Sequence, residues 1–187
     1  MNIVCSDNEI RVRYLEKDDN DFRLLHKWLS SESVYKYYGD SGEKELDFVK
    51  EKYGNKIDDE SQFPCIIEFN NIPIGYIQFY EVNDNYDLSE EQMSSLANKN
   101  DKVMAIDIFI GEDRYRDKGI GSKVLKLLIS ALFEKYEADC ILIDPKTNNP
   151  RAIACYKKCG FKECFVVDQR EEKDGVLYDN LIMKITR

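Results

Sequence analysis

One stretch limits what this chain can fold into more than any other. Ala105-Ile106-Asp107-Ile108-Phe109-Ile110 is rich in β-branched and aromatic residues and predicts a strand. Arg116-Asp117-Lys118-Gly119-Ile120-Gly121-Ser122-Lys123 follows, and Ile120, Val124, Leu127, Leu128, Ala131 and Leu132 then recur with the period of an amphipathic helix. Strand, glycine turn and helix start in succession make a phosphate cradle. The glycines let backbone N–H groups approach an anion closely, the helix N-terminus adds the positive end of its dipole, and Arg116 and Lys118 add side-chain charge. A dinucleotide fingerprint would need a third glycine where Val124 stands, and Gly121-Ser122-Lys123 does not supply a Walker A triplet. What remains is Arg-x-x-Gly-x-Gly. A plain glycine turn would leave the same trace, so the rest of the chain has to decide.

With 187 residues, the chain is read as one domain, 1–187, of an acidic globular protein: 27 Lys+Arg against 36 Asp+Glu give a net charge of −9. That balance argues against nucleic acid and favours a polycationic partner. No apolar run is long enough to span a membrane and the N-terminus lacks a signal-peptide pattern, so the expected location is the cytoplasm. Six cysteines form no C-x-x-C pair and His26 is the only histidine, so no metal site is expected and reduced thiols are the plain reading. Cys155 and Cys159, one helical turn apart, read as packing.

Taken in order, Ile10 to Leu15 alternates as a first strand. Asp18, Asp19 or Asp21 caps a helix through Trp28 whose apolar face is Phe22, Leu25, Trp28 and Leu29. Val34 to Gly39 is an aromatic segment that either covers the core or stacks on a substrate. Glu43 to about Tyr53 predicts a second helix. Pro64–Phe69 and Ile72–Val82 predict a hairpin turning at Asn70-Asn71, with Gly75 at a bulge or close approach and Gln78 and Tyr80 on one face. Residues 83–102, with Asp84, Asp87, Glu90, Glu91 and Asp101 and a short helix from Ser89, are either a solvated insertion or an acidic substrate loop. Ala138–Ile143 predicts a buried strand ending at Asp144-Pro145. Asn149 caps a helix with Pro150 in its first turn and Gly160 at its end. Cys164–Val167 and Val176–Ile185 predict two last strands joined by a charged turn, Glu171 to Gly175.

The second half therefore holds the strand before Arg-x-x-Gly-x-Gly, the spacing Asn149-x-x-Ala152-x-x-x-Tyr156, and the closing Gly160-Phe161. These resemble the two cofactor motifs of the GCN5-related N-acetyltransferases (GNAT), over roughly residues 103–165. Trp28-Leu29, Tyr37-Tyr38-Gly39, Ile72 to Tyr80, Ala105 to Gly111 and Asp144-Pro145 before Asn149 to Ile153 are most similar to one branch, the aminoglycoside 6′-N-acetyltransferases. Residues 83–102 depart from that pattern, and Tyr37-Tyr38 stand where relatives can carry tryptophan. The implied fold is α/β (α+β), a central mixed, mostly antiparallel sheet with a splayed parallel strand pair, flanked by helices.

Acetyl transfer to an amine needs a neutral nucleophile, a polarised thioester and a protonated leaving thiol. Asp107, on the central strand, is the candidate to hold the substrate ammonium and take its proton; the alternative is a carboxylate satisfied by backbone. The resemblance implies acetyl-CoA as cofactor, with Ile108, Phe109 and Ile110 along the pantetheine arm. It further implies Arg116, Lys118, Gly119, Ile120, Gly121 and Ser122 around the pyrophosphate, Asn149 on the cofactor, and Tyr156 near the sulfur as general acid, unless Tyr156 is core. Tyr38, Gln78, Tyr80 and Asp144 complete a substrate wall for a small polycation, an aminoglycoside. No cysteine has a histidine partner to carry an acyl group, so direct transfer in a ternary complex is expected. Other amines (a polyamine or a protein N-terminus), a non-catalytic acetyl-CoA sensor, and a monomer or homodimer all stay open.

Overall fold

The computed structural model describes residues 3–83 and 86–187. Eight strands form one sheet: β1 (Ile3–Ser6), β2 (Ile10–Tyr14), β3 (Gln62–Phe69), β4 (Ile72–Glu81), β5 (Val103–Ile110), β6 (Cys140–Ile143), β7 (Lys162–Lys173) and β8 (Val176–Thr186). Their spatial order is β1-β2-β3-β4-β5-β6-β8-β7, antiparallel throughout except for the parallel pair β5–β6. The fold is thus the mixed α/β one expected.

Among the described residues six helices cover it: α1 (Asp19–Leu29), α2 (Glu32–Tyr35), α3 (Leu46–Asp58), α4 (Glu90–Leu96), α5 (Ile120–Glu134) and α6 (Pro150–Lys158). Asp18 caps α1 by accepting from the Asp21 N–H, and Phe22, Leu25, Trp28 and Leu29 are buried as their spacing predicts. Alternation along β5 divides the core. Met104 and Ile106 pack against Val124, Leu125, Leu128 and Leu132 of α5, while Phe109 faces Leu25, Trp28, Val49 and Tyr53 on the other side.

Several boundaries differ from the sequence reading. β1 was not expected; its four residues pair with β2 across a short turn, too brief a run to show alternation. The second helix begins at Leu46, because Asp40 and Glu43 close a capping box around a 3₁₀ turn, Ser41–Lys44, ahead of it. The last turn is only Asp174-Gly175, both at positive φ, so Glu171, Glu172 and Lys173 belong to β7. Asn70 and Asn71 do turn the β3–β4 hairpin, at φ 49° and 62°. A Cβ on Gly75 would sit 2.4 Å from the Phe109 carbonyl oxygen, so only glycine lets β4 and β5 approach there.

Among its described residues the segment 83–102 is packed rather than a loose solvated insertion. Tyr86 and Leu96 are buried against Val103, Ala105, Cys140 and Leu142, which puts α4 on the sheet as a third packed patch. Asp84 lies outside the described residues.

Candidate active site

The parallel pair carries the site. β5 and β6 are paired only from Val103↔Cys140 to Ala105↔Leu142, although β5 runs on to Ile110. Beyond Ala105 the strands part, and a cleft of about 620 Å³ opens between them, running from the start of α5 to the aromatic segment after α2. It brings together Tyr38, Tyr80, Asp107, Ile108, Phe109, Ile110, Arg116, Gly119, Ile120, Gly121, Ser122, Asp144, Asn149 and Tyr156 from the sequence-derived set. Two of that set lie elsewhere. Lys118 is exposed and off the cleft, and Gln78 stands behind Asp107, on a neighbouring depression.

At one end Gly119 adopts φ +75° and ψ 0°, the left-handed conformation, and precedes the first turn of α5. A Cβ on Gly119 or Gly121 would meet no atom of the protein within 4 Å. Gly121 is therefore not required by packing or by positive φ; it keeps a space open over the helix N-terminus, as close approach of an anion demands. Arg116 is pinned rather than free. Its Nε donates to the Ile110 carbonyl at 2.7 Å and its Nη1 lies 2.6 Å from Asp113, so it fixes the loop that sets the glycines. Arg151 and Lys158, which sequence reasoning missed, add cationic charge along the same wall. Asn149 accepts from the Ala152 N–H at 3.2 Å and caps α6 while lining the cleft. Cys155 lies 3.2 Å from the Ser122 hydroxyl, and the neighbouring Cys159 thiol pulls its pKa down to about 6.

Further along, Gln78 donates to Asp107 Oδ2, and its own Oε1 accepts from Lys56 Nζ and from the Tyr76 hydroxyl, both at 2.7 Å. These bonds fix the orientation of the amide and hold the carboxylate to the cleft wall. Burial pushes the Asp107 pKa above the usual carboxylate range, against the Gln78 bond and the charge on Lys56. Asp144, just past β6, is pushed up to about 7 by burial and by the charge on Asp107, with Arg170 opposing. Its partner is Arg170 Nε at 3.2 Å, held in turn by the Tyr86 and Asp87 carbonyls. Tyr156 is buried beside the cleft, and burial holds its hydroxyl proton firmly. Tyr38 packs on Phe109 with ring centroids 4.8 Å apart.

The charges along the cleft are paired. Each carboxylate lining the cleft has a nearby basic side chain: Glu43 has Lys52 at 2.8 Å, Asp117 has Arg151 at 3.3 Å, Asp144 has Arg170, Glu171 has Lys146 at 2.8 Å, and Asp107 lies within the field of Lys56. Asp87, Glu90, Glu91 and Asp101 do not line this cleft, so the net charge of −9 is spread over the surface instead. The basic partners escaped the sequence reading because each meets its carboxylate through the fold, without a motif.

A three-layer fold with a phosphate cradle at a strand–helix junction, beside a parted parallel pair, defines an acyl-CoA-dependent transferase class. Comparison with known proteins agrees. The family model for the acetyltransferase (GNAT) domain matches residues 17–168, and the chain belongs to that family. It is 30% identical over 162 residues to the aminoglycoside N(6′)-acetyltransferase type 1 of Klebsiella pneumoniae, covering 86% of this chain and 77% of that protein. The crystal structure of aminoglycoside acetyltransferase AAC(6′)-Ib in complex with coenzyme A and kanamycin superposes with a TM-score of 0.75 at 26% identity, over 95% of each chain. The spermine/spermidine N(1)-acetyltransferase of Bacillus subtilis is 40% identical over 76 residues, which cover 41% of this chain and 49% of that one.

Proposed function

We propose that this protein transfers the acetyl group of acetyl-CoA to the 6′-amine of aminoglycosides, and so confers resistance to them. The observation that carries the reading is Asp107, held by Gln78 where β5 has left β6, on the cleft that begins at the glycine cradle. The cradle fits the proposed cofactor, since Gly121 keeps open a space that packing does not require. Gly119, Gly121, Ser122 and the α5 N-terminus would hold the pyrophosphate, Arg116 shapes that loop, and Ile108 to Ile110 and Asn149 would hold the rest of the cofactor. Bound acetyl-CoA supplies the acetyl group as a reactive thioester. Asp107 anchors the substrate ammonium and accepts its proton, a task suited to a carboxylate whose pKa is raised. Tyr156, whose burial retains the phenolic proton, would hold it ready for the leaving thiol. Tyr38 and Tyr80 shape the substrate wall.

Polyamine acetylation is the second reading, favoured by the Bacillus subtilis relative. The paired charges weigh against it. Lys56 and Lys146 on the cleft repel the ammonium groups of a polyamine, whereas the hydroxyls of an aminoglycoside can accept from the donors that Gln78 and Glu171 leave unused. The test is coenzyme A release with two matched aminoglycosides, one bearing a 6′-amine and the other a 6′-hydroxyl. Turnover with the amine alone is expected. Equal turnover would move the reacting amine elsewhere, and silence with both alongside turnover of spermidine would replace this reading by the second.

A further inference from the structure

At the far end of the substrate cleft lie two buried polar atoms that the fold leaves without a hydrogen bond: Lys146 Nζ and Asn180 Oδ1. Lys146 is 3% exposed and Asn180 5%. They face one another as an isolated antiparallel bridge, so their side chains rise on the same side of the sheet. The surrounding backbone is stitched together: the Leu181 N–H donates to the Pro145 carbonyl at 2.9 Å and the Thr147 N–H to the Asp179 carbonyl at 2.8 Å. Asn180 Nδ2 donates to the Asp144 carbonyl at 2.8 Å, which fixes the amide and commits Oδ1 as the free acceptor. Lys146 lies 4.2 Å above the Tyr178 ring and within ion-pair distance of Glu171 Oε1, an arrangement that engages its charge but not its three donors in hydrogen bonds.

A buried acceptor without a donor, beside a buried ammonium whose ion pair leaves its donors unused, is costly unless a ligand completes them. The chemistry of the pair selects that ligand. An ammonium would satisfy Asn180 and be repelled by Lys146. A carboxylate or phosphate would satisfy Lys146, offer Asn180 no proton and meet the charge of Glu171. A hydroxyl does both, donating to Asn180 Oδ1 and accepting from Lys146 Nζ. We propose that Lys146 and Asn180 form a hydroxyl-reading subsite that sets which aminoglycosides this enzyme prefers. The proposal rests on the aminoglycoside reading above and adds the discriminating group to it.

The experiment measures KM and kcat for a panel of aminoglycosides that share the 6′-amine and differ by the removal of single hydroxyls, using wild-type protein and Lys146→Met. With wild type, loss of the one hydroxyl that is read raises KM by about ten- to a hundredfold, the range for a hydrogen bond to a charged group, while loss of the others changes it little. In Lys146→Met that one ratio falls to within about twofold; a merely structural effect would shift the whole panel together. If wild type tolerates every single-hydroxyl removal with less than a threefold change, the subsite is overturned whether or not the variant folds. If the wild-type ratio persists unchanged in Lys146→Met, it is overturned as well. Turnover of no panel member by wild type would instead overturn the aminoglycoside reading, and the subsite with it.

Discussion

Asp107 combines two demands that pull apart. Burial favours its neutral form, whereas anchoring an ammonium needs its charge; the Gln78 bond, itself set by Lys56 and Tyr76, moderates the conflict. Asp107→Asn keeps the shape and loses both the proposed anchor and the proposed base. Turnover should fall by about a hundredfold or more, within the usual range for a general base, while acetyl-CoA binding by calorimetry stays within about twofold of wild type. Full turnover would remove Asp107 from the mechanism. On the proposed function, Asp144 should shape the pH profile. With its pKa at about 7, it is neutral below that pH and charged above, so attraction for a cationic substrate is present at pH 8 and lost as the pH falls. A kcat/KM profile for the aminoglycoside that declines below about pH 7 is expected, with that decline weakened in Asp144→Asn; a limb that the substitution leaves unmoved would assign it to another group.

At the scale of elements, the strand–turn–helix unit separates what the protein needs from what a ligand needs. Gly119→Ala places a Cβ at φ +75° and should cost about 1 kcal/mol of stability. Gly121→Ala meets no protein atom, so thermal unfolding should be unchanged while acetyl-CoA affinity drops several-fold. A fall in stability equal to that of Gly119→Ala would refute the distinction. The anchoring of β2 is similarly testable. Buried Arg13 bonds Asp21 of α1 at 2.6 Å and Glu68 of β3 at 2.9 Å, and Arg13→Met strands the buried Asp21 and leaves Glu68 with Arg11 alone. The expected loss is about 3–5 kcal/mol in a urea melt; a change below 1 kcal/mol would mean that Arg11, 2.5 Å from Glu68, compensates. This unit, the α6 cap at Asn149 and the Asn70-Asn71 hairpin were legible in the sequence because each is local: spacing, a capping side chain, or a turn residue states it. Gln78, Arg170, Lys146 and Asn180 act through partners tens of residues away, and β7 was cut short because charged Glu171 to Lys173 look like a turn until the fold places them beside the cleft. Lys118, whose charge the cradle motif names, is exposed and does not line the cleft.

Over the whole molecule, charge and site are arranged on different scales. The cleft pairs its carboxylates with its own cations, yet the chain as a whole carries −9, and a field of that sign acts on an approaching ligand before any contact forms. The two proposed substrates have opposite signs, so they should sense that field oppositely. A polycationic aminoglycoside is drawn in, and raising the ionic strength from about 0.01 M to 0.1 M shrinks the screening length from about 30 Å to about 10 Å, which removes most of the attraction. Acetyl-CoA, an anion, is held by the cradle but repelled by the whole, so salt weakens the first effect and relieves the second. Steady-state kinetics across that range should therefore show kcat/KM for the aminoglycoside falling several-fold, more steeply for substrates with more amines, with kcat/KM for acetyl-CoA moving less than about twofold. Parallel decline for both would mean that local pairs in the cleft, rather than the molecular field, govern encounter, and the value of the surface carboxylates would then have to be sought in solubility instead.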